Sequence, residues 1–173
     1  MKQAKRILIM GLPGAGKTYL ATQLKQRLEQ HGQTVSWLNA DEVRRHYNDW
    51  DFSDVGRLRQ VLRMTHLAEE SGADYAICDF VCPTDYYRLM FDAAFVVWMD
   101  TIKEGRFEDT NKMWEKPEHY DLRIDNFMTV EEEVQLVLKT FGLHDWKAPT
   151  TLMLGRYQPW HEGHHALYKE AGK

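Results

Sequence analysis

The chain has 173 residues, of which 43% are hydrophobic, 28% charged and 12% aromatic; this is ordinary globular composition and excludes a disordered, collagenous or disulfide-framed chain. Lys and Arg number 22 against 26 Asp and Glu, a formal charge of −4, which argues against a broad nucleic-acid footprint while leaving room for a local anion site. The longest apolar run, Ala93 to Met99, falls far short of the roughly 20 residues of a membrane span, so no membrane partner is expected.

The basic N-terminus leads into Ile7–Met10, too short for a signal-peptide core. Arg6 to Met10 reads as a buried strand. Leu20, Ala21, Leu24 and Leu28 then recur at helical spacing over Tyr19 to His31, and Gly32 closes that helix. Val35 to Leu38 is a second strand. Asp54 is placed to cap a helix with Leu58, Val61, Leu62 and Leu67 inward, ending at Gly72. Tyr75 to Val81 is a third strand, Thr84 to about Phe91 a short helix, and Phe95 to Met99 a fourth strand. Gly105 to His119 is polar and without clear period, which suits a lid. Tyr120 to Ile124 is a short fifth strand. Thr129-Val130-Glu131-Glu132 is a capping box, opening a helix that carries Val130, Val134, Val137, Leu138 and Phe141 on one face and ends at Gly142. The alternation predicts an α/β fold: a mostly parallel five-stranded sheet in a three-layer α/β/α sandwich. Ligands in such sheets sit beyond the carboxyl ends of the strands. Cys78 and Cys82 have no companion pair and read as reduced, buried thiols of a cytoplasmic protein.

Gly11-Leu12-Pro13-Gly14-Ala15-Gly16-Lys17-Thr18 fits G-x-x-x-x-G-K-[ST] in full, between a strand and a helix, the context the motif requires. Its amides, with Tyr19 following, are expected to cradle a nucleotide triphosphate at the helix N-terminus. Lys17 is expected on the β- and γ-phosphates, and Thr18 on Mg²⁺. ATP and Mg²⁺ are therefore the expected cosubstrate and metal. No N-K-x-D guanine signature is present, since Asn111-Lys112-Met113-Trp114 lacks the acid. The length and the lid suit a small-molecule kinase. Strand two ends in Asn39-Ala40-Asp41-Glu42-Val43-Arg44, where Asp41 either orients an acceptor hydroxyl and takes its proton or caps the following helix. Arg44 is placed to hold an acceptor anion.

At this point the sequence resembles the adenylyl-sulfate (APS) kinase family. Those enzymes carry D-G-D-N-[VI]-R after strand two, then F-S, then D-R-x-x-N-[IV]-R-R, then A-F-[IV]-S-P. The counterparts here are Asn39 to Arg44, Phe52-Ser53, Gly56 to Arg63, and Asp79-Phe80-Val81-Cys82-Pro83. The resemblance covers about residues 5–141 and implies phosphorylation of the ribose 3′-hydroxyl of adenylyl sulfate by MgATP, giving PAPS. It implies Asp41 as base, Arg44 and Arg57 as anion ligands, Phe52 as the stacking partner of the acceptor adenine, and Phe80, Val81 and Pro83 as pocket lining. It also implies a homodimer. Asn39 replaces the first acid of D-G-D, Gln60 replaces the helix Asn, and Asp79 replaces a small residue. Asp79 is either a Mg²⁺-assisting acid or a solvated strand end. The family's lid pattern K-A-R-x-G-x-[IV]-x-x-[FY]-T-G is replaced by Arg106 to Pro117, from which Arg106 and Lys112 are candidate phosphoryl-stabilising cations and Trp114 a candidate base-stacking ring. The alternatives are a kinase for another nucleotide or a sugar phosphate, a nucleotide-binding module without transfer, and a polynucleotide 5′-kinase, which the charge disfavours.

Gly142 to Pro149 reads as a linker after a kinase domain over residues 1–141. Gly155-Arg156-Tyr157-Gln158-Pro159-Trp160-His161-Glu162-Gly163-His164 then resembles the opening of an H-x-G-H nucleotidyltransferase. His161 and His164 would contact triphosphate in that family, and His165 adds a third imidazole to a remote zinc alternative. A full domain needs about 100 residues or more. The expectation is a bifunctional protein cut inside its second domain, without nucleotidyl transfer in this chain.

Overall fold

The computed structural model describes residues 2–142. The second domain expected from residue 150, with His161, His164 and His165, lies outside the described residues.

Five strands, β1 (Lys5–Met10), β2 (Val35–Asn39), β3 (Tyr75–Asp79), β4 (Phe95–Met99) and β5 (Leu122–Ile124), form one sheet in the order β2-β3-β1-β4-β5. Every pairing is parallel, so the expected mostly parallel sheet is parallel throughout. The side chains of β1 alternate between two cores. Ile7 and Ile9 pack with Leu20, Leu24 and Leu28 of α1 (Lys17–Gln30) and with Val134, Val137 and Leu138 of α6 (Val130–Thr140). Leu8 and Met10 pack on the other face with Val61, Met64 and Ala68 of α3 (Asp54–Glu70) and Phe91 of α4 (Asp85–Phe91). Full burial of each such aliphatic side chain stabilises the fold by roughly 1.5–3 kcal/mol, an upper range because the unfolded chain already hides part of that surface. The capping box on α6 is present: the Thr129 hydroxyl accepts from Glu132 N, and the Glu132 carboxylate accepts from Thr129 N.

Four details differ from the sequence reading. Ser53, rather than Asp54, caps α3; its Oγ accepts from Gly56 N at 3.2 Å, and Asp54 sits in the first turn. Leu62 of α3 is exposed, because its helix turns Val61, Met64 and Ala68 to the core instead. A further helix, α2 (Ala40–Tyr47), follows β2 directly; among its eight residues only Val43 is a buried apolar side chain, so it has little periodicity to read. The lid is not wholly irregular, since α5 (Glu108–Met113) lies within it with Thr110 as its one buried residue. Cys78 and Cys82 are both buried and unpaired, and burial holds both thiols well above their usual pKa. No helix among the described residues is long and apolar enough to cross a membrane.

Candidate active site

The carboxyl ends of β1, β2 and β3 converge on one cavity of about 570 Å³, within the usual range of small-molecule sites. The loop from β1 to α1 forms its floor. Gly11, Gly14 and Gly16 have φ of +154°, +93° and +96°. Gly11 is also pressed against β4: a Cβ there would stand 2.5 Å from the Met99 carbonyl oxygen. Gly11→Ala is therefore expected to destabilise the fold by about 1–3 kcal/mol through strain and a backbone clash, read as a lowered Tm together with weaker ATP binding. Ala15 is buried, and its carbonyl accepts from the Thr101 hydroxyl at 2.8 Å, which ties the loop to the segment after β4.

Lys17 Nζ donates to the Leu12 carbonyl at 2.9 Å, so the lysine is folded over its own loop. Burial pulls its pKa down to about 8, against the opposing charges of Asp79 and Asp41; Arg106 lowers it further. The Thr18 hydroxyl donates to Asp79 Oδ2 at 2.8 Å. Asp79 is buried at the end of β3 and also accepts from Trp37 Nε1 at 3.0 Å and Asn39 Nδ2 at 2.9 Å. Burial raises its pKa, and these three donors and Lys17 act the other way. Asp79 is thus a sequestered carboxylate beside the phosphate loop, which removes the solvated strand-end alternative. Thr18 and Asp79 supply hard oxygens, the donor type Mg²⁺ takes. Among the described residues there is no group of three or more His, Cys, Asp or Glu that could hold a metal ion.

Asn39 is the N-cap of α2; its Oδ1 accepts from Glu42 N at 3.1 Å while its Nδ2 reaches Asp79. Asp41 therefore does not cap α2. It stands in the first turn, exposed and lining the cavity. Gln60 ties α3 to α2, its Nε2 donating to the Ala40 carbonyl at 3.0 Å.

Opposite the phosphate loop, two guanidiniums flank one ring. Arg44 lies 4.5 Å and Arg57 5.5 Å from the Phe52 ring centre. Both arginines are buried, whereas Phe52 is 47% exposed. Arg44 donates to the carbonyls of Asp49 and Asp51, and burial lowers its pKa. Arg57 Nε donates to the Phe52 carbonyl at 2.9 Å, and its Nη2 to Asp109 of α5 at 3.1 Å. Phe80, Val81 and Pro83 line the same cavity with Cys82. The turn at Cys82 has φ +46°, a strained value for a non-glycine residue. Arg88 braces it, donating to the carbonyls of Cys82 and Pro83, each at 3.0 Å.

The cavity thus brings together Pro13, Gly14, Lys17, Thr18, Asp41, Arg44, Phe52, Arg57, Asp79, Phe80, Val81, Pro83 and Arg106. Seven expected residues fall outside its lining: Gly11, Leu12, Ala15 and Gly16, which belong to the β1–α1 loop itself, and Tyr19, Lys112 and Trp114. Tyr19 is 77% exposed on α1. Lys112 points away on α5, paired with Glu108 at 2.8 Å. Trp114 packs under Arg88, 4.9 Å from its guanidinium, and lines a separate hollow with Leu12 and Trp98. The sequence reading missed Arg45, Trp50, Tyr87, Phe107 and Thr110, which also line the cavity, together with Asn39, Ala40, Gln60 and Val61. Trp50 and Phe107 carried a usable signal, as aromatic residues beside residues already singled out.

The family model described as adenylylsulphate kinase matches residues 3–104. The chain belongs to the adenylylsulphate kinase family. Among relatives of this kinase family, an adenylyl-sulfate kinase of Burkholderia ambifaria is 34% identical over 100 residues, covering 56% of this chain and 45% of that one. The chain thus spans under half the length of that relative. A probable adenylyl-sulfate kinase of Pseudomonas aeruginosa is 25% identical over 191 aligned positions, covering 94% and 88%. In fold, the Mycobacterium tuberculosis APS kinase CysC, solved in complex with AMPPNP and APS, superposes with a TM-score of 0.69 at 19% identity, covering 82% of this chain and 99% of that one. Against the kinase pattern described above, the acid expected at the end of β2 is Asn39. A carboxylate stands instead at Asp79, its register partner on β3.

Proposed function

We propose that this chain transfers the γ-phosphoryl of MgATP to the 3′-hydroxyl of adenylyl sulfate, giving PAPS. The observation that carries the reading is the single cavity that joins the phosphate loop to the Phe52 ring and its two buried arginines. An aromatic base stacks on such a ring, and guanidiniums hold the anion attached to it. A sugar phosphate presents an anion to the arginines but no aromatic base to the ring, so the ring favours a nucleotide acceptor.

In this reading the loop amides and Lys17 hold the triphosphate, and Asp41 orients the acceptor hydroxyl and takes its proton. Mg²⁺, held from Thr18 and Asp79, neutralises phosphate charge when bound. Arg106 and Phe107 of the lid cover the cavity, and water exclusion favours transfer over hydrolysis. ADP release measured by a coupled assay with MgATP should be strongly stimulated by adenylyl sulfate. Bound ATP with no stimulation would reject this acceptor in favour of another nucleotide. Homodimer formation and a following nucleotidyltransferase domain from residue 150 belong to the same proposal; the second is carried by the Gly155–His164 motif alone.

A further inference from the structure

We infer that Asp109, on the lid helix α5, is an internal competitor for the acceptor's anion. It occupies the Arg57 guanidinium until the acceptor arrives, and so sets how strong an anion the acceptor must present. The inference rests on the acceptor-anion role of Arg57 proposed above.

Arg57 is buried and lines the cavity, and the Phe52 carbonyl fixes its Nε from one side. Its ion pair with Asp109, at 3.1 Å, comes from the lid, and the aspartate side chain is 68% exposed. Arg57 is therefore oriented without Asp109. A carboxylate meets a guanidinium in the same way as a sulfate or phosphate oxygen does, so the two compete for one group. The charges facing the cavity sharpen the competition. Lys17, Arg44, Arg45, Arg57 and Arg106 line it against Asp41 and Asp79. Arg45 is already paired with Glu42, and Asp109 draws on Arg57 from the rim.

The attachment of α5 gives the competition a second effect. Beyond its C-terminal end, Glu115 is fixed three ways: its N–H donates to the Pro83 carbonyl, its carbonyl accepts from Arg88, and its carboxylate accepts from Asp85 N, each at 2.8 Å. The N-terminal half of α5 is tied to α3 by Asp109 and Arg57. An acceptor anion that takes Arg57 releases that tie, so acceptor binding and lid position are linked.

The test is inorganic sulfate as a competitor of adenylyl sulfate, followed by ADP release and, without turnover, by calorimetric titration of sulfate. In Asp109→Asn the sulfate Ki and the adenylyl sulfate KM should both fall about two- to fivefold, with kcat unchanged within about 1.5-fold and Tm unchanged within about 2 °C. Asp109→Glu, which keeps the charge, should retain the parental constants. Constants that stay the same or rise in Asp109→Asn overturn the inference. Arg57→Ala separates this failure from that of the underlying reading. If Arg57→Ala leaves sulfate binding intact, the anion role of Arg57 is wrong. If it weakens sulfate while Asp109→Asn does not strengthen it, only the competitor role is wrong.

Discussion

Lys17→Met is expected to lose phosphoryl transfer by about 10²- to 10³-fold, the scale for removing one charge-stabilising donor, and yet to melt at a higher temperature than the parent at pH 7. Burial holds the pKa of Lys17 at about 8, against 10.5 for an ordinary exposed lysine. At about 1.4 kcal/mol per pH unit, keeping this ammonium charged in the native state at pH 7 costs up to roughly 3 kcal/mol. The hydrogen bond to the Leu12 carbonyl, lost in the variant, offsets part of that. The sign follows from linkage. Between pH 8 and 10.5 the unfolded lysine holds its proton and the native one does not, so parental stability rises with pH through that window. The advantage of methionine is therefore largest below pH 8 and fades toward pH 10.5. Thermal melts at pH 7 and pH 10 check both parts; a variant less stable at both would show that burial of the charge is not the dominant cost at Lys17. The same pKa predicts that ATP binding takes up a proton above about pH 8, because the triphosphate restores the ammonium.

Asp41→Asn should lose transfer on the order of a hundredfold, the usual scale for a positioned base, while ATP binding is retained. Asn39 caps α2 through its own side chain, so removing the Asp41 charge takes away a favourable interaction with the first turn, about 0.3–1 kcal/mol, together with its attraction to Lys17, Arg44 and Arg45, which solvent screens at this exposed carboxylate. Tm should thus barely change while kcat collapses. Parental turnover in Asp41→Asn would end its assignment as the base.

Much of this was legible in the chain because its physical cause is local. The strands are apolar runs and the phosphate loop is a contiguous motif. The capping box at Thr129 specifies its own helix start. Elements whose cause is tertiary were harder to read. The helices α2 and α5 are short and nearly all polar, so they are held by packing and caps rather than by a stripe. Trp114 illustrates the limit at the site. Its position in the lid suggested a stacking ring over a bound base, but Arg88 holds it on the far side, in the brace that also fixes the turn at Cys82 and Pro83. Phe107, seven residues earlier, takes a place in the lining instead. Asp79 was visible as a departure, but its partners were not. Trp37 and Asn39 reach it across the β2–β3 register, a relation that exists only once the strands pair.

The most direct test of the central claim is the identity of the phosphorylated product. The chain is incubated with MgATP and adenylyl sulfate, and the products are resolved by ³¹P NMR. The account predicts a new phosphomonoester on the ribose 3′-oxygen of adenylyl sulfate, formed in equal amount with ADP and absent with Lys17→Ala. ADP with inorganic phosphate and no new ester, or no ADP beyond the level seen without acceptor, would contradict it.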